Sequence, residues 1–192
     1  MKVPITMKLL NVFCRSQEFK QRLEASRIRL YRLAYSWCHD AALADDLAQE
    51  TLEKALKKSG QLRDPAAMET WLFSILTNCW RDHFRRSRDM VDIDDLPLEH
   101  EVTPEHEQHQ HQVVSEVRSA IALLPLGQRQ VLTLVDLEGC SYIEVANILG
   151  VPVGTVMSRL CRARRALKES LLDSELINQA SDSQNQRIRR IK

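Results

Sequence analysis

A chain of 192 residues with 44% apolar and 28% charged side chains has room for one ordinary domain or two small ones, and the balance of a globular protein that works in water. No apolar run approaches the twenty or so residues of a membrane span, and the opening MKVPITMKLLNVFCRSQ lacks a small-residue cleavage site, so neither membrane insertion nor secretion is expected and the protein should stay in the cytoplasm. The net charge of +1 hides opposed segments: nine acids and no Lys or Arg from Asp89 to Val117, then five bases and no acid from Val145 to Lys168.

Glycine is rare, and no stretch alternates apolar and polar as a half-buried strand would, so an all-α chain is expected. The charge pattern divides it into two small helical domains joined by a flexible acidic linker. These are an N-terminal extension (1–17), a first module (18–88), the linker (89–111), a second module (112–172) and a polar basic tail (173–192). Cys14, Cys38, Cys79, Cys140 and Cys161 are odd in number, scattered and without a CxxC pair, which reads as reduced core or surface residues.

In the first module the spacing predicts helices over Glu18–Cys38, Leu43–Lys58 and Pro65–Arg88, the last opened by an Asp64 cap with proline in its first turn. On the second helix Leu43, Leu47, Thr51 and Ala55 can face inward. Asp45, Asp46, Gln49, Glu50 and Glu53 then form an acidic, amide-bearing outer stripe, suited to a basic protein surface or simply to water. The third helix, TWLFSILTNCWRDHFRRSR, interleaves aromatic and basic groups, as single-stranded nucleic acid requires: rings or pockets receive unstacked bases while Arg85, Arg86 and Arg88 hold phosphates. Trp71 reads as core.

The linker DMVDIDDLPLEHEVTPEHEQHQH has two prolines and many like charges, so it should be extended, with a reach of up to about 75 Å. His106, His109 and His111 invite a metal reading, but no apolar frame holds them, and a solvated linker is preferred. The tail beyond Asp173 reads as a disordered end with weak affinity for nucleic acid.

The second module carries SYIEVANILGVPVGTVMSRLCRARRALK over Ser141–Lys168, which reads as helix, turn, helix. Ser141 and Glu144 make a capping box, Ile143, Ala146 and Leu149 supply an inward face, and Gly150 stops the first helix. Val156, Leu160, Ala163 and Leu167 form the buried stripe of the second helix. The opposite face shows Met157, Ser158, Arg159, Cys161, Arg162, Arg164 and Arg165, an inventory for major-groove reading. No nucleophile motif, phosphate loop or zinc-ligand pattern appears, so no enzyme activity, cofactor or metal is expected.

Two segments together resemble a known family. Asp40–Leu56 with Met68–Arg86 looks like region two of the extracytoplasmic-function sigma factors of the sigma-70 family, and Ala122–Leu167 looks like their region four. The resemblance implies two helical domains on a flexible linker and a dissociable subunit that directs core RNA polymerase to promoter DNA and helps melt it. It assigns polymerase binding to Asp45, Asp46, Leu47, Gln49 and Glu50. It assigns the proximal promoter element to Phe73, Ile75, Asn78, Arg81 and Arg85, with the Ser59–Asp64 loop as pocket wall, and the distal element to Met157, Ser158, Arg159, Cys161, Arg162 and Arg164. The family commonly has a cation at Met157 and an aromatic or His at Cys161, so its distal-element sequence does not transfer. A cognate anti-sigma factor is a further expectation. The alternatives are a free-standing helix-turn-helix regulator and a sigma-like decoy that only sequesters an anti-sigma protein.

Overall fold

The computed structural model describes residues 17–62, 64–90 and 110–189, with side chains for all of these except 86–90, 110–113 and 173–189. Every regular element among them is helical. The chain divides into two compact units, Met1–Leu96 and Pro97–Lys192.

In the first unit α1 (residues 17–25) and α2 (Arg27–Cys38) meet at Ser26, where a single continuous helix was expected. The Ser26 hydroxyl donates back to the Arg22 carbonyl at 2.8 Å, and its N–H is shared between the Arg22 and Leu23 carbonyls, so the ladder loses its regular pattern there. His39 ends α2 in the left-handed region (φ 54°), its N–H returning to the Tyr35 carbonyl. Asp40 then caps α3 (Ala41–Lys57), accepting from the Leu43 N–H at 3.0 Å. After two short 3₁₀ turns, Ser59–Gln61 and Pro65–Ala67, the chain enters α4 (Met68–Met90). Asp64 caps the second turn through the Ala66 N–H at 2.9 Å.

The core of this unit is a three-helix seam. Leu30, Leu33, Ala34 and Trp37 come from α2, Ala44, Leu47, Ala48, Thr51 and Ala55 from α3, and Met68, Leu72, Phe73, Ile75, Leu76, Cys79 and Trp80 from α4. Trp37 is fully enclosed and meets Trp80 edge to face, ring centroids 6.0 Å apart. Ala44 and Ala48 pack inward where Leu43, only half-buried, had been expected to lead the stripe.

The second unit begins with α5 (Gln110–Ala122), whose first residues were expected to belong to the linker. Pro125 opens α6 (Leu126–Leu132), which widens into a π turn over Thr133–Leu137. There the Glu138 N–H reaches the Thr133 carbonyl, and the Thr133 hydroxyl donates to the Arg129 carbonyl at 2.9 Å. Gly139 (φ 71°) turns the chain into α7 (Tyr142–Leu149), Gly150 (φ 61°) ends it, and α8 runs over Val153–Arg189. The tail expected to be disordered thus continues the last helix, in a stretch with no Gly or Pro to stop it.

A buried arginine joins these pieces. Arg129, 8% exposed, donates through Nη2 to the Ala122 and Leu124 carbonyls, so it caps the open end of α5 from inside α6. Arg129→Leu should lower the stability of this unit by about 1–3 kcal/mol, because two carbonyls lose their charged donor. All three tryptophans lie in the first unit. Urea unfolding should therefore show an earlier transition by far-UV circular dichroism with the tryptophan-emission transition in place; unchanged dichroism would contradict the capping role.

Candidate nucleic-acid interface

The outer stripe of α3 is acidic but partly spoken for. Asp45 receives Arg27 at 2.9 Å across two half-exposed side chains. Glu50 holds Lys54 at 2.9 Å, and Lys54 also reaches Asp82 of α4 at 3.5 Å. The hydrogen bond to Glu50 raises the Lys54 pKa against the opposing effect of partial burial. Asp46 and Gln49 are exposed. Leu47, expected among the groups offered to a partner, is 1% exposed and belongs to the core, so its assignment is corrected: helical spacing turns it inward with Thr51.

On α4 the structure reverses an expectation. Phe73 (2% exposed) and Ile75 (7%) point into the domain, and the Arg29 guanidinium covers the Phe73 ring at 5.5 Å from its centroid. Trp71, expected in the core, is only half-buried. Asn78, Arg81 and Arg85 are exposed, and the half-buried Trp71 and Ser74 continue the same side at spacings of three and four. This stripe has an aromatic ring at one end, an amide at its centre and guanidinium groups at the other end. Arg85, itself strongly exposed, leans on the half-buried Asp82 at 3.2 Å in a pair that costs little to break. Trp71 and Ser74 were missed, although counting back seven and four positions from Asn78 would have found them.

The helix-turn-helix forms largely as expected. Ser141 Oγ accepts from the Glu144 N–H at 3.3 Å, and Glu144 Oε2 accepts from the Ser141 N–H at 2.8 Å, which completes the capping box. The inward face of α7 is Val145, Ala146, Ile148 and Leu149; Ile143, expected to be inside, is 66% exposed. Val156, Leu160 and Ala163 of α8 are buried and Leu167 half-buried. That leaves Met157, Ser158, Cys161, Arg162, Arg164 and Arg165 outward. Arg159 is half-buried and lies flat on Gly127 of α6, where a Cβ would stand 3.2 Å from its Cζ. Arg164 is held by Asp136 of the π turn, Nε to Oδ2 at 3.0 Å and Nη2 to Oδ1 at 2.5 Å, and that bond raises its pKa.

Comparison with known proteins decides the family. Residues 23–89 match the model for sigma-70 region 2 and residues 115–167 the model for sigma-70 region 4. An RNA polymerase sigma-H factor of Pseudomonas aeruginosa is 34% identical over 155 residues, 74% of this chain and 80% of that one. An ECF RNA polymerase sigma factor, EcfG of Rhodopseudomonas palustris, is 37% identical over 142 residues, 74% and 78% of the two chains. This chain belongs to the extracytoplasmic-function sigma factors.

A solved structure agrees. The sigma factor RpoE of Bartonella quintana, determined with the anti-sigma factor NepR, aligns with a TM-score of 0.68 at 30% identity, covering 81% of this chain and 97% of that one. In this sigma factor, region 2 spans α2 to α4, with the acidic and aromatic-amide stripes, and region 4 spans the helix-turn-helix. Among the described residues no single helix is long and apolar enough to cross a membrane, and no three His, Cys, Asp or Glu side chains gather as metal ligands. His106 and His109, and the side chain of His111, lie outside the described residues.

The cysteines divide by accessibility. Cys38 and Cys79 are buried and Cys161 is exposed; burial pushes the Cys79 thiol up from its ordinary pKa, against the Thr51 hydroxyl 3.7 Å away. Site-resolved alkylation of the native protein should label Cys161 well before Cys79, with Cys79 labelled only on unfolding. Equal labelling of both would contradict the packed α3–α4 seam.

Proposed function

We propose that the three outward stripes divide the work of this sigma factor. The outer carboxylates and amide of α3, with Asp46 and Gln49 exposed and Asp45 and Glu50 half-buried, dock on core RNA polymerase. The α4 stripe, Trp71, Ser74, Asn78, Arg81 and Arg85, receives the melted strand of the proximal promoter element. The α8 face, Met157, Ser158, Arg159, Cys161 and Arg162, reads the distal element in the major groove. The observation that carries the reading is the α4 stripe, where a half-buried indole, an exposed amide and exposed guanidinium groups follow one another along a single helix face. An unpaired base costs a few kcal/mol to expose, and stacking at about 1–3 kcal/mol per base offsets it, so binding alone suffices for opening.

This division calls for no catalytic group; the chain acts in the cytoplasm, where the polymerase is. The regulator that fits is a cognate anti-sigma factor, since the structural relative from Bartonella quintana was determined with one.

Two experiments test the division. Asp46→Arg/Glu50→Arg should abolish co-purification with bacterial core polymerase without unfolding the chain; retained binding would remove α3 from the docking surface. Trp71→Ala and Asn78→Ala should leave polymerase binding in place. Each should lower the permanganate reactivity of unpaired thymines in promoter complexes about 5- to 150-fold, the range that 1–3 kcal/mol implies. Wild-type opening by both variants would overturn the α4 assignment.

A further inference from the structure

Arg164 differs from its neighbours on α8. Asp136, placed by the π turn 28 residues earlier, takes its guanidinium edge-on through two bonds, at 3.0 Å and 2.5 Å. The π turn and the second helix of the motif therefore meet on one cation. The same two side chains border an open, mainly apolar groove with Leu132, Leu167 and Leu171. Among the described residues, Arg162 and Arg165 have no such partner and stand exposed.

We infer that Asp136 is a positioning residue for promoter reading: its carboxylate makes Arg164 a strut between the π turn and α8 and withholds that charge from DNA. The inference rests on the reading of α8 as the DNA-facing helix. A phosphate would have to displace both bonds to claim Arg164, and it would arrive beside the negative charge of Asp136, so the exchange has no electrostatic gain. Arg162, one turn from Ser158 and without a carboxylate partner, is the cation DNA meets first. The π turn has a function in this arrangement. Its wider loop, closed by the Glu138 N–H on the Thr133 carbonyl, presents Asp136 to Arg164, 28 residues later on α8.

The test uses the full-length chain and a short random-sequence duplex, with affinity measured against salt concentration. Each phosphate contact adds about 0.9 to the slope of log K against log salt. Arg162→Ala should lower the slope by about 0.9, and Arg164→Ala should leave it unchanged. Asp136→Asn should raise it by about 0.9 as Arg164 is released, and the double variant Asp136→Asn/Arg164→Ala should lose that rise. A slope that falls as far for Arg164→Ala as for Arg162→Ala, or fails to rise for a folded Asp136→Asn, overturns the inference and leaves the DNA reading standing. If Asp136→Asn does not fold, the Arg164→Ala arm still decides. No effect of Arg162→Ala overturns the DNA-facing reading of α8 and this inference with it.

Discussion

The packed stripe on each helix decides what the opposite face can offer. A buried leucine contributes about 1.5–3 kcal/mol, whereas an exposed ion pair contributes about 1 kcal/mol or less, so burial sets the rotation of a helix and the surface groups follow. On α4, enclosing Met68, Leu72, Leu76 and Cys79 leaves Asn78 and Arg81 on the outside and Trp71 half-buried beside them. On α8, Val156, Leu160 and Ala163 do the same for Ser158, Cys161 and Arg162. A residue's type says what it can do in a transcription complex; its phase against the core says whether it is available.

Charge is organised on the same principle. An outer face on α3 that carries carboxylates suits a basic protein partner, and one on α8 that carries arginines suits phosphates; a chain of uniform sign would serve only one of them. The net charge of +1 is the sum of these opposed faces. Internal pairs refine the pattern further. Lys54 is drawn between Glu50 and Asp82, and Arg164 is drawn to Asp136, so the number of charges presented to a partner is smaller than the number in the sequence.

What could be read in the sequence was local. The Ser141–Glu144 capping box, the Gly150 stop and the Asp64 cap each involve residues within three or four positions; the first two form as read, and the Asp64 cap forms on the 3₁₀ turn ahead of α4. Rotational phase was less legible. Ile143 was placed inside although the helix buries Val145 and Ile148, because a short apolar run fits two neighbouring phases equally well. The same ambiguity put Trp71 in the core, and carrying positions over by resemblance placed Leu47, Phe73 and Ile75 on a surface that the packed seam turns inward. The Asp136–Arg164 pair and the Arg129 cap were out of reach for another reason: both depend on tertiary closure, across 28 residues in the first case. The break at Ser26 and the continuation of α8 to Arg189 depend on competition between side-chain and backbone hydrogen bonds and on the absence of a stop signal, which set boundaries only weakly.

The most direct measurement is transcription from fragmented genomic DNA by purified core polymerase with and without this chain. The account predicts discrete promoter-specific transcripts that appear only when the chain is added. Transcripts indistinguishable from those of core polymerase alone, with a folded chain and no inhibitor present, would contradict it.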